Sequence, residues 1–152
     1  MDQKIAERTT VPSTRQATFL LVDDDEIDRA NFRRAFRQEN IPTDLLEAQD
    51  GQRAYEILKG LNGAKKPARP YIVVTDINMP RMTGLEFLEA VRADDELRDT
   101  TVFVLSTSQA DEDRRAAYAQ NVAGYVIKTG TDGSLQNMMR MLSTYCRIVE
   151  LP

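Results

Sequence analysis

The 152-residue chain contains no histidine and no tryptophan, and it has a single cysteine, Cys146. Each shortage excludes chemistry. Without histidine there is no imidazole base, no Ser-His-Asp arrangement and no histidine-ligated zinc. One cysteine can neither close an internal disulfide nor build a thiolate metal site, and it suits a reducing, cytoplasmic setting. Any metal must then be held by oxygen, which favours magnesium, manganese or calcium. No GxxxxGK[ST] loop occurs, so a P-loop nucleotide site is not expected. Basic excess is also lacking: 24 acidic against 20 basic side chains leave a net charge of -4, which argues against gripping a nucleic-acid backbone. No apolar run approaches the roughly 20 residues of a membrane-spanning helix. The N-terminal MDQKIAERTTVPSTRQAT has no apolar core of a signal peptide.

What is present is a regular alternation of short apolar runs and helical patterns. At 41% hydrophobic residues the chain can bury one real core. Residues 1–17 are polar and without period, and are expected to form a flexible N-terminal arm. From Thr18 onward, TFLLV, TDLLEA, YIVVTD, TVFVLS and GYVIK read as strands. Their continuous rather than alternating apolar character suits a parallel sheet covered on both faces. DDDEIDRANFRRAFRQEN, GQRAYEILKGL, GLEFLEAVRAD, DEDRRAAYAQN and GSLQNMMRMLSTYCRIV read as helices, the first carrying Ile27, Ala30, Phe32, Ala35 and Phe36 at a mostly helical period. GLNGAKKPARP is a loop. Five βα units predict one α/β domain over residues 18–147, a doubly wound five-stranded parallel sheet with five flanking helices.

In such a sheet, ligands bind beyond the carboxyl ends of the strands. The first strand delivers Asp23, Asp24 and Asp25 there, the third Asp76, the fourth Ser106 and Thr107, and the fifth Lys128. Crowded carboxylates either raise a pKa or recruit a cation. Magnesium, with manganese as a substitute, would take Asp24 and Asp76, Asp23 directly or through water, and the backbone carbonyl of Asn78. A carboxylate can also attack phosphorus to give an aspartyl-phosphate. That chemistry needs a cation, a fixed positive group and a hydroxyl around the phosphoryl oxygens. The metal, Lys128 and Ser106 fit these roles, and Thr107 would control room for attacking water.

Each residue alone also has a plain structural reading. DDDE before a helix supplies an ordinary N-cap from Asp25 or Asp24, Ser106 is a turn hydroxyl, and Lys128 a solvated strand end. Asp28 and the Asp94-Asp95 pair read as surface helix charges. The convergence of four strand ends is what distinguishes the set.

LLVDDDE, VVTDINMPRMTG, VFVLSTS and GYVIK, in this order and spacing, resemble the receiver domain of two-component response regulators over about residues 18–145. The resemblance implies the flavodoxin-like strand order 2-1-3-4-5, an acidic pair at Asp23 and Asp24, and a phosphoacceptor at Asp76. It further implies a magnesium-binding carbonyl at Asn78, a switch hydroxyl at Ser106, a coupled aromatic at Tyr125 and a phosphoryl-binding lysine at Lys128. The missing histidine would belong to a partner sensor histidine kinase. GLNGAKKPARP, ADDELRDT and LSTSQADED resemble more narrowly the stand-alone regulators paired with bacterial phytochromes. Five βα units take up most of the chain and the 17-residue arm is too short for a DNA-binding module, so output is expected through contact with an unidentified downstream protein, or the chain serves as an intermediate or phosphate sink in a relay. A degenerate receiver used only for binding is the main alternative. A metal-dependent phosphohydrolase is less suited, because Asn78 stands where such enzymes commonly place an acid.

The family normally has Lys-Pro after the fifth strand, often with a cis bond; this chain has Lys128-Thr129. A cis bond before a non-proline costs about 2.5–4 kcal/mol, so the KTGTDG loop is expected to run trans or to be locally mobile. Leu135, Met138, Leu142 and Tyr145 form the stripe that docks the closing helix. Met139, Met141, Ile148, Val149 and Leu151 exceed that stripe and predict a homodimer, with the tail at residues 148–152 in its interface and Tyr118 and Tyr125 beside it. The competing reading folds the tail over its own subunit.

Overall fold

β-Branched, aromatic and leucine side chains fill the short apolar runs, and each run forms a strand in the computed structural model, which describes residues 16–129 and 133–152. The elements alternate as β1 (Thr18–Val22), α1 (Glu26–Gln38), β2 (Leu45–Ala48), α2 (Gly51–Lys59), β3 (Tyr71–Thr75), α3 (Gly84–Ala93), β4 (Thr101–Ser106), α4 (Asp111–Ala119), β5 (Gly124–Ile127) and α5 (Ser134–Ile148). All pairings are parallel, in the order β2-β1-β3-β4-β5. The chain reverses its direction of growth between β1 and β3. The predicted doubly wound fold is therefore the observed one.

The two-residue period of a strand divides the core. Leu20, Val22, Val73, Val102 and Val104 face one side and pack with Ala54, Leu58, Phe87, Leu88, Val91 and Ala117 from α2, α3 and α4. Phe19, Leu21, Ile72, Val74, Phe103 and Leu105 face the other and meet Phe32, Phe36, Met138, Met139 and Leu142 from α1 and α5. Phe19 meets Phe36 edge-on at 5.1 Å, and Phe103 meets Tyr145 edge-on at 5.3 Å, a geometry that adds to plain area burial.

Helix ends follow their cap chemistry. Asp25 caps α1 by accepting from the Asp28 amide, Asp50 caps α2 by accepting from Arg53, and Thr83 with Glu86 forms a capping box on α3. Gly60 closes α2 in the left-handed conformation, φ +70°. α4 has Ala110 at its N-cap position and so no side-chain cap. Its C-terminal end is held by Arg92 of α3, which donates to the carbonyls of Gln120 and Asn121 and, on the α3–β4 connection, to those of Arg98 and Thr100.

Several expectations about individual residues are corrected. Ile27 does not join the apolar face of α1; it is 72% exposed. Met139 is not surplus to the docking stripe, because it lies fully within the core of its own domain. Leu151 also packs against that core, while Met141 and Ile148 remain exposed. Asp94 is more than a surface charge: it accepts from the Tyr55 hydroxyl at 2.6 Å and pairs with Lys59 at 3.0 Å. Lys59 also reaches Glu96, tying α2 to the α3–β4 connection. The arm expected over residues 1–17 lies outside the described residues as far as position 15; Ala17 is buried, and its carbonyl accepts from the Thr43 hydroxyl.

Candidate phosphoacceptor and metal site

β1 and β3 are central, adjacent strands, so the residues that follow them emerge side by side. The Asp23 amide continues the ladder to the Ala48 carbonyl, and the Asp76 amide bonds the Val22 carbonyl at 2.9 Å. This fixes both backbones at the carboxyl edge of the sheet. One carboxylate oxygen from each of Asp23, Asp24 and Asp76 falls within 4.8 Å of the others. Asp23 is buried, Asp76 half-buried and Asp24 exposed. An oxygen-only set of this kind, open on one side, fits a hard divalent cation that retains several waters. Asn78 is exposed two residues beyond Asp76.

Asp76 is held by its own turn. Its Oδ1 accepts from the Ile77 amide at 2.6 Å, leaving Oδ2 toward Lys128 at 3.1 Å. The turn closes when the Gly84 amide bonds the Ile77 carbonyl at 2.8 Å. A Cβ on Gly84 would overlap the Asp76 carbonyl oxygen and sit 2.7 Å from the Ile77 Cα. Glycine is needed here for space, so the spacing from Asp76 to Gly84 is set by the turn that presents the carboxylate.

Lys128 enters from β5. Its amide donates to the Ser106 carbonyl at 2.8 Å, carrying the β4–β5 ladder one step past the end of β5. The sole cis peptide among the described residues is Arg69-Pro70, so Lys128-Thr129 is trans and the lysine still reaches the site. Its Nζ lies 2.7 Å from Asp23 Oδ2, 3.0 Å from Asp28 Oδ2 and 3.1 Å from Asp76 Oδ2. Burial works against the ammonium, but the hydrogen bonds to Asp23 and Asp28 and the charges of Asp23 and Asp76 outweigh it. The lysine is held protonated, above its ordinary range. Burial pushes the Asp23 carboxyl up, opposed by Lys128 and the Asp25 amide.

Asp28 was expected to be a surface charge and is instead one of three acids on Lys128. Asp25, by contrast, is committed to its cap.

Ser106 is fully buried at the end of β4, its Oγ accepting from the Ser108 amide at 3.1 Å, and Thr107 is exposed beside it. Tyr125 is half-buried on β5 and donates its hydroxyl to the Ser108 carbonyl at 2.9 Å. Ser108 also donates to Asp113 in the first turn of α4 at 2.5 Å. The hydroxyl, the aromatic and α4 therefore meet on one loop.

The model of the response regulator receiver domain family matches residues 19–140. The chemotaxis protein CheY of Pseudomonas aeruginosa is 37% identical over 113 residues, 74% of this chain and 84% of that protein. The response regulator Rcp1 of Synechocystis sp. is 26% identical over 126 residues, 83% of this chain and 86% of its own length. Its Mn(2+)-bound crystal structure superposes with a TM-score of 0.80 at 27% identity, covering 90% of this chain and 99% of that one. A response regulator in red light signalling of R. palustris, RPA3017, gives a TM-score of 0.76 at 27% identity, covering 89% and 98%. Among the described residues no helix is long and apolar enough to cross a membrane.

Proposed function

The chain belongs to the response regulator receiver domain family, and from that premise we propose that Asp76 accepts a phosphoryl group from the phosphohistidine of a partner kinase. The observation that carries this reading is the gathering of Asp23, Asp24 and Asp76 carboxylate oxygens within 4.8 Å of one another, with the Lys128 ammonium against Asp23 and Asp76. In the transfer, an Asp76 carboxylate oxygen attacks phosphorus as the P–N bond to the imidazole breaks, its electron pair leaving with the imidazole nitrogen. Asp23, Asp24, Asp76 and the Asn78 carbonyl would hold magnesium, with manganese as an alternative. Such an ion neutralises phosphoryl oxygens in the transition state. Lys128, already protonated and aimed at Asp76, exchanges a carboxylate partner for a phosphoryl oxygen. Ser106 supplies a hydroxyl to another, and Thr107 limits the approach of water. The chain is thus a self-assisting acceptor with slow loss of the phosphoryl group, not an enzyme acting on free substrates.

Output follows from the loop that Ser106 shares with Tyr125. A move of Ser106 toward the phosphoryl group would disturb the Ser108 carbonyl that Tyr125 holds, and with it α4. The likeness to RPA3017, a regulator in red light signalling, supports a bacterial phytochrome as the kinase; the single cysteine suits a cytoplasmic setting, and the target is an unidentified downstream protein. Exposed Tyr118, Met141 and Ile148 support a homodimer through α4 and α5, to which Met139 cannot contribute. Transfer from a phosphorylated histidine kinase tests the reading: label should pass to the wild type and not to Asp76→Asn. Label that passes equally to both proteins removes Asp76 from its role, and none passing to either favours a binding-only receiver.

A further inference from the structure

The peptide joining Asp23 to Asp24 sets the direction of both carboxylates, and it is held by a group outside the acidic cluster. The Arg29 Nη1 donates to the Asp23 carbonyl at 2.7 Å. β2 ends at Ala48, whose carbonyl already takes the Asp23 amide. Past that point β1 has run out of strand neighbour, and a side chain supplies the donor. Arg29 is itself fixed: its Nε lies 3.4 Å from Glu47 Oε1 on β2, and only 13% of its side chain is exposed. Glu47 in turn is gripped on both oxygens by Arg33, at 2.7 and 2.8 Å. That bidentate contact, opposed by partial burial, holds the Glu47 carboxyl below its usual range. Arg33 anchors Glu47, Glu47 orients Arg29, and Arg29 holds the acidic turn.

We propose that Arg29 is a positioning residue for the divalent-ion site, holding the Asp23-Asp24 peptide so that Asp24 stays within coordinating reach of Asp76. The inference rests on the metal reading of the acidic cluster. Asp24 is the exposed member, with Asp23 tied to Lys128 and to the Asp25 amide, so the orientation of Asp24 depends most on its backbone. A different role for Arg29, that of a nearby positive charge, makes the opposite prediction. Removing a cation from beside three carboxylates should tighten magnesium binding, whereas loosening the turn should weaken it.

Calorimetric magnesium titration of the purified, metal-free chain separates the two. Arg29→Met should raise the dissociation constant by about tenfold or more, the size of effect seen when partners that orient metal ligands are lost. Arg29→Lys, which keeps the charge and is the gentler change, should also bind more weakly, because one ammonium cannot span the Asp23 carbonyl and Glu47 together. Arg33→Met, which touches Glu47 and not the turn, should cost less than Arg29→Met. Unchanged or tighter binding by Arg29→Met overturns the proposal, as does wild-type affinity in Arg29→Lys or an Arg33→Met loss equal to that of Arg29→Met. If Arg29→Met does not fold, the Lys variant decides. Absence of binding by the wild type would instead remove the metal reading, and this inference with it.

Discussion

Replacing Gly84 by alanine tests whether the turn that presents Asp76 is as tight as its geometry implies. The added methyl would overlap the Asp76 carbonyl oxygen and crowd the Ile77 Cα at 2.7 Å. Both neighbours are backbone, so no rotamer change relieves the clash. The Gly84 amide is committed to the Ile77 carbonyl, and the Ile77 amide to Asp76 Oδ1. Relief must therefore move the peptide that carries the phosphoacceptor. Overpacking typically costs about 1–3 kcal/mol, and an immovable backbone neighbour places this case near about 3. For a domain of this size each kcal/mol lowers Tm by about 2–4 °C, so the variant should melt about 6–12 °C below wild type. Circular dichroism melts read this directly. Gly63→Ala is the control: nothing lies within 4 Å of its Cβ, but its φ of +83° charges a conformational penalty of about 1–2 kcal/mol. A Gly84→Ala protein that melts with the wild type, or above Gly63→Ala, would refute the close approach of α3 to the Asp76 peptide.

Arg92→Met should destabilise the domain by about 2 kcal/mol or more, since it strips donors from the Gln120, Asn121, Arg98 and Thr100 carbonyls; urea unfolding measures it. Tyr125→Phe should cost about 1 kcal/mol in the same assay and shrink the shift changes that a phosphoryl mimic produces over residues 111–128, because the tether to the Ser108 carbonyl is lost. Asp94 is held down at about 2, first by the Tyr55 hydroxyl and further by Lys59, against partial burial. A depressed carboxyl contributes stability above its unfolded pKa of about 4 and loses it as pH falls through the folded value. Tyr55→Phe should therefore raise the Asp94 midpoint, followed by carboxyl NMR, and its stability deficit should be full above pH about 4 and close toward pH about 2.

The strands were legible because a buried parallel strand must be apolar throughout, and YIVV or VFVL admits little else. Once five such runs alternate with helical patterns, the sheet follows, and with it the gathering of Asp23, Asp24, Asp76, Ser106 and Lys128 at one edge. Ends were less legible. TDLLEA reads as a strand from Thr43, but Thr43 is spent on turn contacts with Ile41 and Ala17, so β2 begins at Leu45. Side chains that act across elements were least legible of all. Asp28 on Lys128, Arg29 on the Asp23 carbonyl and Asp94 under Tyr55 join residues whose proximity exists only after folding. Periodicity sorts residues by helix face, and that coarse sorting placed Ile27 inside and left Met139 for a partner. Burial reverses both.

Asp76 as the acceptor, and the need of its chemistry for a divalent ion, can be read in one experiment. Intact-mass measurement after incubation with a small phosphoramidate donor tests both most directly, in magnesium and in excess chelator. The wild type should gain the mass of one phosphoryl group in magnesium and none in chelator, and Asp76→Asn should gain none in either. Equal uptake by Asp76→Asn, or undiminished uptake in chelator, would contradict this.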